Sequence, residues 1–279
     1  MPSIVIPAHN EKMVIERCLR SVLAAPRLEN LEVIVVCNGC TDETAQICRD
    51  FDDSIIVIET DVPSKSNALN LGDEAASSFP RMYLDADIEL PEGGLKATFD
   101  AMRGPVHAAA PKPEFDTTGA SLPVKMFYTA WQRVPYFNGS MIGSGVYALT
   151  EEGRARFDRF PSIIADDGFV RLQFEASERR CIESARFVIR TPQNMSQLIG
   201  IKSRVVAGTD ELHRTFPELS AREETNQASA LKMMLLKPHL WPCFAVYIYA
   251  KRAIRRRVTF KGRTGALGQW DRDDSSRGG

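Results

Sequence analysis

Residues 83–91 read YLDADIELP, and their chemistry lies in Asp85 and Asp87. A β-rich run ending at Asp85 delivers two hard oxygen donors into one loop. That arrangement suits Mg2+ or Mn2+ shared with a diphosphate better than a cage built by protein alone. D-x-D also arises by chance as a surface turn of two solvated acids, and the position at a strand end is what favours the metal. Asp166 and Asp167 form a second acidic pair. The macrodipole at a helix N-terminus accounts for Asp166 without invoking any chemistry. Cys37 and Cys40 form C-x-x-C where a strand exits into a turn, but zinc would need a second pair at matching spacing, and the 6 cysteines supply none.

Other chemistries lack their residues. There is no G-x-x-x-x-G-K-[ST] loop, no G-x-G-x-x-G after the first strand, no G-x-S-x-G elbow and no H-E-x-x-H. The 4 histidines (His9, His107, His213, His239) are scattered, which argues against histidine metal sites and triads. His9 falls in a strand-end loop and reads as a loop residue.

The elements that must position these groups alternate along the first ninety or so residues. Ser3–Pro7 is a short β-rich run, and Glu11–Ala24 carries helical apolar spacing. Leu31–Cys37, nearly continuous in apolar residues, reads as a strand covered on both faces. Thr41 or Asp42 can cap a helix through Arg49; Ile55–Ile58 is a third strand, Ser64–Ser77 a helix and Arg81–Leu84 a fourth strand. Such units imply right-handed crossovers and a mainly parallel central sheet with helices on both faces, an α/β fold. Ligands bind such sheets at the carboxyl ends of the strands. Three polar loops, Pro7–Glu11, Asn38–Asp42 and Asp85–Asp87, are therefore expected to meet at one rim. Beyond residue 104 the pattern weakens. Residues 111–145 read as an irregular layer rich in Pro, Gly and aromatics (Phe115, Phe127, Tyr128, Trp131, Tyr136, Phe137), most of them packed and some able to line an acceptor cleft. A strand at 145–149, a helix Asp166–Glu175, a strand Arg180–Arg190 and a helix Ser196–Gly208 follow.

The 279 residues are 44% hydrophobic, 25% charged and 8% aromatic, which excludes global disorder, a collagen-like chain and a polytopic membrane protein. The net charge of −1 hides a separation: residues 251–263 hold seven of the 35 basic residues and none of the 36 acidic ones. The chain opens on a strand, with no basic and apolar leader, so secretion is not expected and the cysteines read as reduced thiols. The N-x-S/T triplets at Asn138 and Asn194 are then chance matches.

Five segments together resemble a known family. SIVIPAHNE (3–11), VIVVCNGCTDET (33–44), KSNALNLG (65–72), YLDADIEL (83–90) and ADDGFVRL (165–172) occur in the order found in family 2 glycosyltransferases. The resemblance covers roughly residues 3–208. It implies a GT-A fold and inverting transfer of a sugar from a nucleotide-diphospho-sugar to an acceptor hydroxyl, with Mg2+ or Mn2+ on the diphosphate. On this resemblance Pro7, Ala8, Asn10 and Glu11 form the first nucleotide-binding loop. Asn38 stands where the family usually has an aspartate that contacts the base, and Cys37 replaces the aspartate often found before it. UDP is the default donor nucleotide, since an amide both donates and accepts hydrogen bonds. Lys65 and Asn70 border the nucleotide and diphosphate. Asp85, with Ala86 beside it, approaches the ribose or the metal, and Asp87 binds the metal. Asp166 and Asp167 match the family's acidic pair, with Asp167 as the general base. Gly143, Ser144 and Gly145 line the donor sugar; their plainer reading is a tight turn entering a strand. Arg204 faces the diphosphate, but Ile201 and Val205 break the Q-x-x-R-W of processive polymer synthases.

The resemblance gives a transferase domain at 1–210 (nucleotide half 1–104, acceptor half 105–210) and fades beyond it, where composition reads a helical aromatic and basic extension at 211–261 and a disordered tail at 262–279. Within the extension the longest apolar run, Cys243–Ala250, has eight residues against the roughly 20 that span a bilayer. Pro238 and Pro242 should interrupt a long helix. Trp241, Phe244, Tyr247 and Tyr249 beside Lys251, Arg252 and Arg255–Arg257 suit a peripheral helix on an anionic membrane, or a docked helix with a solvated basic end. Nucleic acid is not expected, because no recognised module accompanies the basic block. The expected location is cytoplasmic or on the cytosolic membrane face. A catalytically silent GT-A-like binding or scaffold protein is the alternative from another class, motivated by Cys37–Asn38 and the broken Q-x-x-R-W. A nucleotidyltransferase is disfavoured, since its G-x-G-T-R-L-x-P type loop is absent.

Overall fold

The computed structural model describes residues 2–24, 30–133, 145–221 and 237–264, with side chains to residue 260. Chain compactness separates two units: Met1–Glu114 with Met141–Val188, and Phe115–Ser140 with Ile189–Gly279.

In the first unit the strands are β1 (Ser3–Ala8), β2 (Glu32–Asn38), β3 (Ile56–Thr60), β4 (Arg81–Leu84), β5 (Ala108–Asp116), β6 (Val146–Leu149) and β7 (Arg179–Arg190). They form one sheet in the order β3-β2-β1-β4-β6-β5-β7. The pairs β1–β2, β2–β3 and β1–β4 are parallel, while β6 runs antiparallel to both β4 and β5. Helices α1 (Ile15–Leu23), α2 (Thr44–Phe51) and α3 (Lys65–Ala75) make the crossovers of the parallel half. The apolar runs of β1, β2 and β4 are buried throughout, as both-face coverage requires. Gly72 lets α3 lie close on the sheet: a Cβ there would clash with Val5 Cγ1 and sit 3.1 Å from Val36 Cγ2. Helices α4 (Gly94–Asp100), α6 (Glu151–Arg154) and α7 (Asp166–Arg171) follow β4, β6 and the intervening loops.

An ion cluster ties α3, β4 and α6 together. Asp73 accepts hydrogen bonds from Arg81 and Tyr83 and from Arg154 Nε at 2.8 Å, and Arg154 Nη2 lies 2.7 Å away. Burial alone would raise its carboxyl; the bonds from Tyr83, Arg81 and Arg154 outweigh that and hold it below the ordinary carboxylate range.

The second unit holds α5 (Leu122–Trp131), α8 (Met195–Thr215), α9 (Pro217–Ser220), a 3-10 turn at Pro238–Leu240 and the long α10 (Trp241–Thr264). Its core joins Val124, Phe127, Tyr128, Leu198 and Ala250, with Phe115, Trp131 and Tyr247 packed against them. These aromatics therefore serve packing. Tyr136, Phe137 and Asn138 lie outside the described residues. Asn194 caps α8, its side chain accepting from Gln197 N at 3.0 Å while Gln197 bonds back.

Several expectations need correction. The stretch 111–145 is not uniformly irregular, since it supplies most of β5 and all of α5. Pro111 and Pro113 fall past Ala108–Ala109, the positions of β5 paired with β6, and Pro123 is in the first turn of α5. Pro238 and Pro242 do not prevent a long helix either. Pro238 opens the 3-10 turn and Pro242 occupies the first turn of α10, which then runs 24 residues. That helix carries three residues of the expected tail, 262–264. Finally, α2 starts at Thr44, with Asp42 Oδ1 accepting from Thr44 N at 3.1 Å, and α7 ends at Arg171 rather than at Glu175.

Candidate active site

Parallel pairing brings the carboxyl ends of β1, β2 and β4 to one edge, and the polar loops stand there as expected. The first two are stitched together. Asn10, in the left-handed region at φ 54°, accepts from Thr41 N at 2.6 Å, and Glu11 N donates to Thr44 Oγ1 at 2.7 Å. Pro7 and Ala8 are buried in β1, opposite Val36 and Cys37, and Glu11 is also buried. His9 bonds through Nδ1 to the carbonyl of Asn38. Asn38 is buried, donating from Nδ2 to Ala8 O at 2.9 Å, while its Oδ1 has no hydrogen-bond partner among the described residues. The Cys37 thiol is buried within hydrogen-bond reach of Cys40 and Cys48. C-x-x-C is thus part of a thiol cluster between β2 and α2.

Lys65 connects the chemistry. Ser64 caps α3, accepting from Asn67 N at 3.3 Å, so Lys65 begins the helix at the strand-end edge. Its Nζ lies 2.9 Å from Asp85 Oδ1 and 3.2 Å from Asp166 Oδ1. One ammonium thus joins the two acidic motifs. Asp166 is 4% exposed, whereas Asp167 is half-buried and accepts from Gly168 N at 2.7 Å. Burial raises the Asp166 carboxyl against the pull of Lys65. Burial and the adjacent Asp166 push Asp167 up to about 7, again against Lys65. For Lys65 itself, burial would favour loss of the proton, but Asp166, Asp85 and Asp167 outweigh it and raise the ammonium above its ordinary value.

Gly145 and Ala86 shape the third loop. Asp85 N donates to Gly145 O at 2.7 Å, and a Cβ on Gly145 would lie 2.6 Å from Asp85 Oδ2. Gly145 has φ 84°, so both backbone and space require glycine. Ala86 is buried beneath the loop, and Asp87 is exposed at its tip. Among the described residues no three His, Cys, Asp or Glu side chains converge as a complete metal cage. Asp87, with Asp85 beside it, still fits a hard dication that takes its other oxygens from a diphosphate and water.

The structure thus gathers Lys65, Asp85, Asp166 and Gly145, with Asp87 and Asp167 adjoining them in sequence. It treats Asn70 differently: this side chain is buried, with Nδ2 on Phe160 O at 3.1 Å and Oδ1 on Phe160 N at 2.8 Å. Arg204 is exposed on α8 in the second unit. Gly143 and Ser144 lie outside the described residues. Tyr147, two residues beyond Gly145, was missed by motif reading. It stacks on Tyr83 with ring centroids 5.2 Å apart, and the period-two alternation from Gly145 was the signal that pointed to it.

A family model described as "Glycosyl transferase family 2" matches residues 3–143. Among curated proteins, AglE, a glycosyltransferase of Haloferax volcanii, is 36% identical over 90 residues, which is 30% of this chain and 30% of that protein. GlyA, a glycosyltransferase of Streptococcus pneumoniae, is 30% identical over 88 residues, 30% of this chain and 12% of that protein. The matched stretches are therefore less than a third of either relative's length. Among solved structures, a mannosyltransferase from Pyrobaculum calidifontis in complex with GDP-Man and Mn2+ superposes with TM-score 0.63 at 18% identity, covering 96% of this chain and 76% of that one. Glucosyl-3-phosphoglycerate synthase from Mycobacterium tuberculosis in complex with Mn2+ and UDP-glucose gives 0.53 at 20% identity, covering 77% and 78%.

Proposed function

The chain belongs to glycosyl transferase family 2 and has the GT-A fold, and from that membership we propose that it transfers a sugar, with inversion, from a nucleotide-diphospho-sugar to an acceptor hydroxyl. The observation that carries the reading is Lys65, which holds Asp85 and Asp166 on one ammonium beside Asp167. An acceptor hydroxyl is a weak nucleophile, and Asp167 takes its proton as it attacks the anomeric carbon. A carboxyl raised to about 7 is matched to that task at neutral pH. Burial, reinforced by the neighbouring Asp166, sets this affinity for protons, and Asp166 also anchors Lys65. The Lys65 ammonium lies where it can offset the charge of the departing diphosphate. Asp87 and Asp85 would hold Mg2+ or Mn2+, which when bound supplies further positive charge to the diphosphate. One face of the sugar is attacked while the opposite bond breaks. A single protein base is then enough, unlike the two carboxylates of a glycosidase.

The base-binding end is assigned to Pro7, Ala8, Asn10, Glu11 and Asn38. The buried Oδ1 of Asn38 suits a base that offers an N–H, as uracil, thymine and guanine all do, and a UDP-sugar is the default donor. Asn70 braces the backbone at Phe160, Ala86 is buried between Asp85 and Asp87, and Gly145 borders the sugar.

A peripheral contact with anionic membrane is proposed for α10. Trp241, Ile248, Tyr249, Arg252, Arg256 and Phe260 fall within one arc of that helix and all are exposed. Among the described residues no helix is long and apolar enough to cross a membrane. Arg252→Glu with Arg256→Glu should abolish co-sedimentation of the full chain with anionic vesicles.

UDP-, GDP- and dTDP-sugars with Mn2+ test the main reading through thermal shift and turnover, comparing wild type with Asp87→Ala and Asp167→Asn. Binding lost in the first variant and turnover lost in the second are expected. If no donor binds or turns over, the chain is a silent GT-A-like binding protein and the enzyme reading fails.

A further inference from the structure

The Asp85 backbone is clamped on both sides. Its N–H donates to Gly145 O at 2.7 Å, and its carbonyl accepts from Ile88 N at 3.1 Å. Both carboxylate oxygens are already faced. Oδ1 is held by Lys65 Nζ at 2.9 Å, and Oδ2 lies so close to Gly145 that a methyl there would stand 2.6 Å away. The other carboxylate on that ammonium, Asp166, gives its Oδ1 at 3.2 Å and is nearly closed to solvent. A cation arriving from water thus meets Asp87, exposed at the loop tip, and an Asp85 whose cation seat is filled. A dication ligating Asp85 Oδ1 at about 2.1 Å would share that oxygen with the ammonium, and the like charges would stand no more than about 5 Å apart. The clamped carboxylate cannot relieve this repulsion. The lysine can, because its flexible stem lets the ammonium leave Asp85 while it keeps Asp166. What is then required is negative charge to offset the added cation, and a diphosphate brings it.

Resting on the glycosyl-transfer reading, whose donor carries that diphosphate, we infer that Lys65 determines which form of the metal the site accepts. It occupies Asp85 against a free dication and yields it only to a dication that comes with a diphosphate. Metal and donor then favour one another, and by linkage each raises the other's affinity by the same factor.

Mn2+ binding to the full chain, followed by electron paramagnetic resonance of the free ion, tests this without turnover. Lys65→Met keeps an apolar stem and deletes the ammonium. With no nucleotide present it should bind Mn2+ at least tenfold more tightly than wild type. Adding Asp85→Asn to Lys65→Met should return the affinity to within threefold of wild type, as expected if the ion sits on Asp85. Lys12→Met removes a different cation, one paired with Glu43 at 2.9 Å, and should leave Mn2+ affinity within twofold. Equal nucleotide-free affinity in wild type and Lys65→Met overturns the inference, as does the same gain in Lys12→Met. Where Lys65→Met is unfolded in metal-free buffer, about 5 mM Mn2+ should restore its circular-dichroism spectrum, and a chain that stays unfolded overturns the inference too. Saturating UDP, GDP or dTDP should tighten Mn2+ binding to wild type at least tenfold, and should do much less for Lys65→Met. If no nucleoside diphosphate tightens Mn2+ binding to either protein, the metal-dependent donor reading fails instead, and the nucleotide-free comparison still decides whether Lys65 bars Asp85.

Discussion

Asp167→Asn should make the protein more stable while abolishing transfer, and the gain should depend on pH. Asp167 keeps its proton to about 7, against 3.8 for an unperturbed aspartate. At roughly 1.36 kcal/mol per pH unit, that difference sets a ceiling of about 4 kcal/mol of folding stability lost when it ionises. Water reaches the half-buried carboxylate, and Asp166 shares the electrostatic burden, so about 1–2 kcal/mol is the expected gain. Asparagine stays neutral and keeps an oxygen for the bond from Gly168 N. Because the folded-state pKa is raised, the stability that Asp167 contributes is complete below about pH 4 and is lost as pH rises through about 7. The variant's advantage should therefore be absent near pH 4, grow to pH 7 and then level off. Thermal unfolding with EDTA from pH 4 to 8.5 should show a Tm difference of roughly 3–6 °C at pH 8. A difference that does not change with pH, or a less stable variant at pH 8, would refute the electrostatic account of the acidic pair.

Three further outcomes follow from neighbouring contacts. Gly145→Ala places a methyl 2.6 Å from Asp85 Oδ2 at a positive φ, and should weaken Mn2+-dependent donor binding at least tenfold by titration calorimetry. Unchanged affinity would show that the position of Asp85 is immaterial. Lys65→Met strands the buried Asp166 beside Asp85, and should cost about 3–5 kcal/mol at pH 8 and less at pH 5, read by urea unfolding. Asp73→Asn should cost about 2–4 kcal/mol at pH 7, since it removes the charge that Arg81 and Arg154 surround. The lowered Asp73 pKa gives that stability above the unfolded value near 4, and it is lost as pH falls through the folded value, so the two proteins should converge in strong acid.

How much of this could be read beforehand depended on the range of the forces involved. The alternating half announced itself because LEVIVVC and its fellow runs are apolar over whole strands and polar loops follow them. The strands β1, β2 and β4 consequently lie close to their expected limits. Proline obscured β5 and α5, since its composition signal is the same at tolerated and untolerated positions. Cys37 looked like a missing site residue, yet its thiol points into a cluster with Cys40 and Cys48.

The amino-acid order by itself determined the chemical inventory: two acidic motifs, a lysine opening a helix, an amide at the end of a strand and a basic block set apart from them. Each is a local pattern, settled by propensity, periodicity and neighbours a few residues away. Tertiary structure decided what those groups do to one another. Lys65, Asp85 and Asp166 are far apart along the chain, and only the stacking of α3, β4 and α7 puts one ammonium within 2.9 and 3.2 Å of two carboxylates. The raised Asp167 carboxyl and the left-handed Gly145 against Asp85 are likewise products of burial and long-range approach. Electrostatic energies and steric limits depend on distance in space and on the exclusion of water, and neither is encoded in spacing along the sequence.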